Sequence, residues 1–163
     1  MNNIKEKLEN VKDLLNTVKI ATMATTNEDG SPHNSPYVFM ISKDLTKLYW
    51  GSHPKSIHSQ NIQRTGQLFV VLYDAFNWRE GLYIRAENGH IAREAELVEA
   101  LEVHNDVRKK YRKDPIHISY YADGEQEMWI ADTTGFWTNG RVNNEKGHLV
   151  KDITIEIKRE DLV

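Results

Sequence analysis

The chain has 163 residues, a formal charge of −3, no cysteine and 28% charged residues, which suits one soluble globular domain spanning 1–163. The mildly acidic balance argues against nucleic acid as the main partner, because phosphate-backbone binding needs a basic face. Disulfides, thiolate catalysis and Cys-ligated metal are excluded by composition, and with no apolar leader and no run approaching about 20 apolar residues the expectation is a cytoplasmic protein without a membrane partner.

Ile4, Leu8, Val11, Leu14, Leu15 and Val18 recur at helical spacing between charged residues, so residues 2–17 read as an amphipathic helix. Lys19 to Thr26 and His33 to Ser42 read as strands around a loop holding Asp29-Gly30, a hairpin signal. Lys43 to Thr46 turns the chain again, and Lys47 to Ser52 is a third strand. There Leu48, Tyr49 and Trp50 suit a pleated, half-buried strand, and Gly51 permits a sharp exit. Pro54 is placed for the first turn of a helix running to Thr65, with Ser52, Ser56, His58 and Ser59 crowded around its start. Free N–H groups at a helix start attract anions, and short hydroxyl side chains add donors without bulk. The stretch therefore reads either as a phosphate grip or as an N-capped surface helix with solvated polar residues.

Gln67 to Asp74 is a buried fourth strand. Leu82 to Glu94 alternates in part around Asn88-Gly89, as a hairpin or, the reading preferred here, one long strand bent at its glycine to turn a barrel corner. Residues 95–113 read as a helix with acids early and Lys109, Lys110, Arg112 and Lys113 late, ended by Asp114-Pro115. Residues 127–138 and 148–158 are the last strands. Six or seven mostly antiparallel strands interrupted by two helices describe a mainly β fold with helical additions, a small barrel rather than a doubly wound sheet.

The order of these elements and three local patterns, over roughly residues 12–95, resemble the pyridoxamine 5′-phosphate oxidase-like superfamily of FMN-binding split β-barrels. The patterns are the hairpin from Ala21-Thr22 through Asp29-Gly30 to Gly30-Ser31-Pro32-His33-Asn34-Ser35-Pro36; the spacing Ser52, Ser56, His58, Asn61; and the apolar strand Leu68 to Tyr73 followed by Gly81 to Ala86. The resemblance implies flavin mononucleotide as cofactor, with F420 or haem as alternatives. It implies Ser52, Ser56 and His58 on the phosphate with Lys55 as a helper, the backbone of Pro36, Tyr37 and Val38 edging the ring, and Trp50 and Gly51 lining the route between ring and phosphate. It further implies a homodimer with the cofactor at its interface, where Trp137 would close the site from the partner chain. Ile57 and His58 stand where the oxidase proper has an Arg-Lys pair, and Trp137 to Val163 lacks its arginine- and histidine-bearing clamp for pyridoxal phosphate. The implied activity is thus an FMN-dependent reductase of a small electron acceptor such as a quinone, a nitro compound or oxygen, not vitamin B6 oxidation; the alternative is a protein that binds or senses flavin, F420 or haem without turnover.

Seven histidines are scattered without a His-Glu-x-x-His motif, so they read as structural or solvated rather than as a metal site. Glu94, Glu96, Glu99 and Glu102 read as a solvated helix face. Trp78, between two strands, reads as a lid over a pocket or as an interface residue. No catalytic residue is assigned.

Overall fold

The computed structural model describes residues 4–76, 80–122 and 125–163; Trp78 lies outside them. Helix α1 (Ile4–Thr17) buries Val11 and Leu14, with Leu8 and Leu15 packed beside them, as its apolar stripe requires. Lys7 lies on the same side and is only 5% exposed: its Nζ donates to Glu80 Oε1 at 2.6 Å and to the Asn139 carbonyl at 2.8 Å. The apolar stem packs while the ammonium donates to these two acceptors.

This contact gives a first prediction. Lys7→Ala is expected to lower the unfolding free energy by about 1–3 kcal/mol at neutral pH, read by urea denaturation. The Lys7 hydrogen bond holds the Glu80 carboxyl below the ordinary carboxylate value. A depressed folded-state value means stability that is present above the unfolded value and lost as pH falls through the folded one. The gap between wild type and variant should therefore close on acidification; a gap independent of pH would remove the ion pair from the account.

The strands are β1 (Ile20–Thr26), β2 (Pro32–Val38), β3 (Met40–Ile41), β4 (Lys47–Ser52), β5 (Leu68–Leu72), β6 (Leu82–Ile91), β7 (Glu127–Asn143) and β8 (Leu149–Ile157). Every pairing is antiparallel, in the order β2-β1-β5-β6-β7-β4-β3, with β8 also on β7. The fold is mainly β, as the sequence implies, but the strand expected over His33 to Ser42 is divided at Phe39. Its first part pairs with β1 and its second with β4, at opposite ends of the sheet. Only Phe39 separates them, so the two ends of the sheet meet there and the sheet curls into a barrel, with Phe39 turned into the core at 4% exposure. Counting the two parts of the divided segment separately, the described residues form eight strands, and the architecture is the expected antiparallel split β-barrel.

Asp29-Gly30 makes the hairpin turn, with Gly30 at φ +81° and its N–H donating to the Asn27 carbonyl at 3.0 Å. β6 is the single bent strand expected, with register shifts on either side of Ala86 and Glu87. Gly89 N–H donates to the Gly66 carbonyl at 2.9 Å, and a Cβ there would come within 2.4 Å of Ile62 Cγ2, so the bend brings the β6 backbone against helix α2 (Ile57–Thr65). Helix α3 (Glu94–Lys110) ends earlier than expected, a short helix α4 (Ser119–Ala122) follows, and β7 runs five residues past its expected end at Thr138.

Two apolar clusters organise these parts. The barrel interior holds Met23, Leu48, Trp50, Val70, Ile84 and Trp129, with the Trp50 and Trp129 rings stacked 6.1 Å apart at 17°. The outer face of β4 and β7 contributes Tyr49, Met128 and Ile130 to a second cluster with Ala100 of α3 and Tyr121 of α4. β4 is therefore buried on both faces, which is why Leu48, Tyr49 and Trp50 form a continuous apolar run. No helix among the described residues is long and apolar enough to cross a membrane.

Candidate functional site

β4 ends at Ser52 and the chain turns through His53–Ser56 into α2, setting five polar side chains around one point. Ser52 Oγ is the hub: it lies 2.7 Å from His58 Nε2 and 2.9 Å from Ser56 Oγ, and accepts a hydrogen bond from Ser59 Oγ at 3.0 Å. Ser56 Oγ donates to Ser59 Oγ at 2.8 Å and lies 3.2 Å from His58 Nε2, while His58 Nδ1 lies 3.2 Å from Ser35 Oγ on β2. The His33 ring is stacked on His58 with centroids 6.5 Å apart. Burial first, and then the neighbouring His33, push the His58 pKa below its ordinary 6.5, so this imidazole is neutral at physiological pH. Ser56 is the N-cap of α2, but its hydroxyl is committed to the cluster and makes no capping bond, which leaves first-turn amides of the helix available to an anion.

The cluster opens onto a cleft of about 450 Å³. Of the residues that the sequence points to, Pro36, Tyr37, Val38, Gly51, Ser52 and His58 line it. Ser56 stands one hydrogen bond behind Ser52. Lys55 is exposed and outside the lining, with its backbone N–H on His53 Nδ1 at 3.0 Å. Trp50 is 1% exposed inside the barrel, so its ring does not face the cleft. Trp137 lies on the outer barrel face, stacked on Phe69 at 6.4 Å and under Arg85 at 5.5 Å.

The opposite wall comes from residues that sequence reasoning did not single out: His104 and Arg108 of α3, Ile116, and Tyr120 and Tyr121 of α4. Tyr121 Oη lies 3.0 Å from His104 Nδ1, and a Cβ at position 51 would meet that hydroxyl at 2.9 Å, so glycine there admits the tyrosine. Burial pushes the Tyr121 hydroxyl up, and burial together with Arg108 pushes His104 down. Tyr37 Oη is buried without a hydrogen-bond partner among the described residues, and burial raises its pKa. Among the described residues no three His, Asp or Glu side chains converge to hold a metal ion.

The sequence matches the family model described as pyridoxamine 5′-phosphate oxidase over residues 8–141. No curated protein matches it. Among solved structures, a haem-binding protein from Mycobacterium smegmatis is similar with a TM-score of 0.64 at 14% identity; the likeness covers 95% of this chain and 59% of that one. A Clostridium acetobutylicum protein related to general stress protein 26 of B. subtilis, of the pyridoxinephosphate oxidase family, is similar with a TM-score of 0.61 at 15% identity, over 94% and 96% of the two chains. An F420 reductase is similar with a TM-score of 0.56 at 16% identity, over 77% and 94%. At these identities the likenesses concern the fold.

Proposed function

Because the chain belongs to the pyridoxamine 5′-phosphate oxidase family, we propose that it binds flavin mononucleotide in the cleft beside Ser52 and His58 and acts as an oxidoreductase on a small electron acceptor. The observation that carries this reading is the cluster of Ser52, Ser56, Ser59 and His58 at the start of α2, opening onto the cleft. The donor set fits a phosphate: the Ser52 hydroxyl and the His58 imidazole line the cleft and can turn donors toward its oxygens, Ser56 adjoins Ser52, the fully buried Ser59 supports Ser52 from behind, and the first turn of α2 adds amides. The cleft lies within the range of roughly 300–1,000 Å³ usual for small-molecule sites, and Pro36, Tyr37, Val38 and Gly51 would border a flat ring. Lys55 is close enough in sequence to reach the phosphate as a helper. Flavin bound there supplies the redox chemistry, and the chain's residues hold, orient and shield it.

A homodimer belongs to the same proposal. Phe69, Tyr83, Arg85 and Trp137 form an aromatic patch on the barrel's outer face, of the composition usual for interface cores. Trp137 would reach the cofactor of the partner from there. No membrane-spanning helix is present among the described residues, and a cytoplasmic flavoprotein is the setting proposed.

A second reading, a binder or sensor of flavin, F420 or haem without turnover, is favoured by the grip's lack of a permanent cation other than Lys55. For haem it is further supported by His53 and His104 in the cleft and by the haem-binding protein of similar fold. A visible spectrum of protein purified from its host separates these: two flavin bands are expected, and a sharp Soret band would overturn the flavin assignment. Steady nicotinamide oxidation with a quinone or nitroaromatic acceptor then separates turnover from storage.

The uncharged grip makes a pH prediction. A bound phosphate favours the protonated His58, whose pKa in the free protein is depressed, so binding takes up a proton and protonation strengthens it. The affinity advantage of wild type over His58→Gln should grow from about pH 8 to about pH 6. The paired comparison cancels titration of the phosphate itself, and an advantage that shrinks on acidification would contradict a contact between His58 and phosphate.

A further inference from the structure

Two hydrogen bonds of the serine cluster run in sequence toward Ser52. Ser56 Oγ donates to Ser59 Oγ, and Ser59 Oγ donates to Ser52 Oγ. The Ser52 proton has three acceptors in reach, the His53 carbonyl at 3.4 Å, Ser56 Oγ at 2.9 Å and, nearest, His58 Nε2 at 2.7 Å, which accepts it in the tautomer that carries its proton on Nδ1. Across the ring, Ser35 Oγ lies 3.2 Å from Nδ1, where it can accept the Nδ1–H and hold the tautomer that leaves Nε2 bare. A hydroxyl, a base and a group orienting the base thus stand in hydrogen-bond reach of one another at the wall of a cleft.

We propose that Ser52 is an acyl-accepting nucleophile, with His58 as its general base and Ser35 as a positioning residue, acting on small uncharged esters when no phosphate occupies the cluster. Tyr37, Met40 and Ile116 give part of an otherwise polar cleft an apolar surface on which the body of such an ester can rest. In the first step the Ser52 Oγ–carbonyl carbon bond forms and the hydroxyl proton passes to His58 Nε2. The uncapped first-turn amides of α2 are available to the oxyanion. Collapse breaks the ester C–O bond, and His58 returns the proton to the departing alcohol. Water, deprotonated in turn by His58, then adds to the acyl carbon; the bond from that carbon to Ser52 Oγ breaks, His58 returns the proton to Ser52 Oγ, and the acid leaves. No oxidant or reductant is consumed, so the activity does not depend on the flavin reading. A bound flavin mononucleotide would occupy the same hydroxyls, making the two uses of the cluster mutually exclusive.

Hydrolysis of an activated ester alone would not test this, because any exposed imidazole among seven histidines can cleave one slowly. The test is a fluorophosphonate probe, in which Ser52 Oγ bonds to phosphorus and fluoride leaves, followed by digestion and mapping of the adduct by mass spectrometry. The expected result is an adduct on Ser52, formed at least about a hundredfold more slowly in His58→Gln, the contribution of a general base. Ser35→Ala should retain the adduct but lower the midpoint of the pH profile of labelling, since an acceptor of Nδ1–H favours the imidazolium. Circular dichroism of each variant establishes that it is folded. An unlabelled Ser52 in folded wild type, or equal labelling in folded His58→Gln, would overturn the proposal. Adding flavin mononucleotide distinguishes the two readings of the site. Labelling that it fails to block supports the nucleophile and counts against the phosphate grip, whereas flavin binding with Ser52 unreactive does the reverse.

Discussion

Trp129→Ala is expected to destabilise the fold by about 3–5 kcal/mol, the cost of emptying a large aromatic site in a close-packed core. Trp129 has no exposed surface, sits opposite Trp50 in the β4–β7 register and stacks on it. Its Nε1–H also donates to the Ser52 carbonyl at 3.2 Å. The substitution therefore opens a cavity in the barrel and removes the indole N–H that donates to the carbonyl of Ser52. Urea denaturation should show a marked fall in midpoint, and any folded fraction should bind flavin poorly. Trp129→Phe keeps an aromatic ring but not the donor, so it should cost less stability while still loosening Ser52. A Trp129→Ala variant as stable as wild type would mean that the tryptophan stack does not support the barrel.

The second large effect concerns the ligand. Ser56→Ala and His58→Ala are each expected to weaken flavin mononucleotide binding by about 1–3 kcal/mol, the range for losing a hydrogen bond to a charged group in a partly buried site. Both residues sit on Ser52: Ser56 at 2.9 Å and, for the imidazole, 2.7 Å. The two losses should not add in the double variant, because each substitution also disturbs the hydroxyl that the other contacts. Fluorescence titration reads the affinities, and riboflavin, which has no phosphate, provides the reference: its affinity should change little. An equal loss for riboflavin would move the contact from the phosphate to the ring, and unchanged affinity in both variants would remove the grip.

What was legible in the sequence was what local chemistry dictates. The period of Val11 and Leu14 placed α1, Asp29-Gly30 placed the hairpin, and Asn88-Gly89 placed the bend in β6, where a side chain would collide with Ile62. The division of the second strand at Phe39 is not legible: residues 37–41 are a continuous apolar run with no break to mark it, and only the strands flanking it decide that its partner changes. Trp50 is an instructive case. Its adjacency to Gly51 suggests the cofactor route, but the two-residue period that puts Leu48 inside the barrel puts Trp50 there as well. Gly135 and Gly140 disguise the length of β7, which continues through both. The wall of His104, Arg108 and Tyr121 escaped because its meaning depends on a contact with Gly51, seventy residues away from Tyr121 in the chain. By contrast Ser52, Ser56 and His58 converge through a single strand–turn–helix unit, so their spacing alone pointed to one place.

The central claim is that the serine–imidazole cluster receives the phosphate of a flavin. Titrating the cofactor-free protein with flavin mononucleotide and riboflavin side by side tests it directly. The phosphorylated form is expected to bind clearly more tightly, with that preference much reduced in His58→Ala; equal affinity for the two flavins, or binding of neither, would contradict a phosphate contact at the cluster.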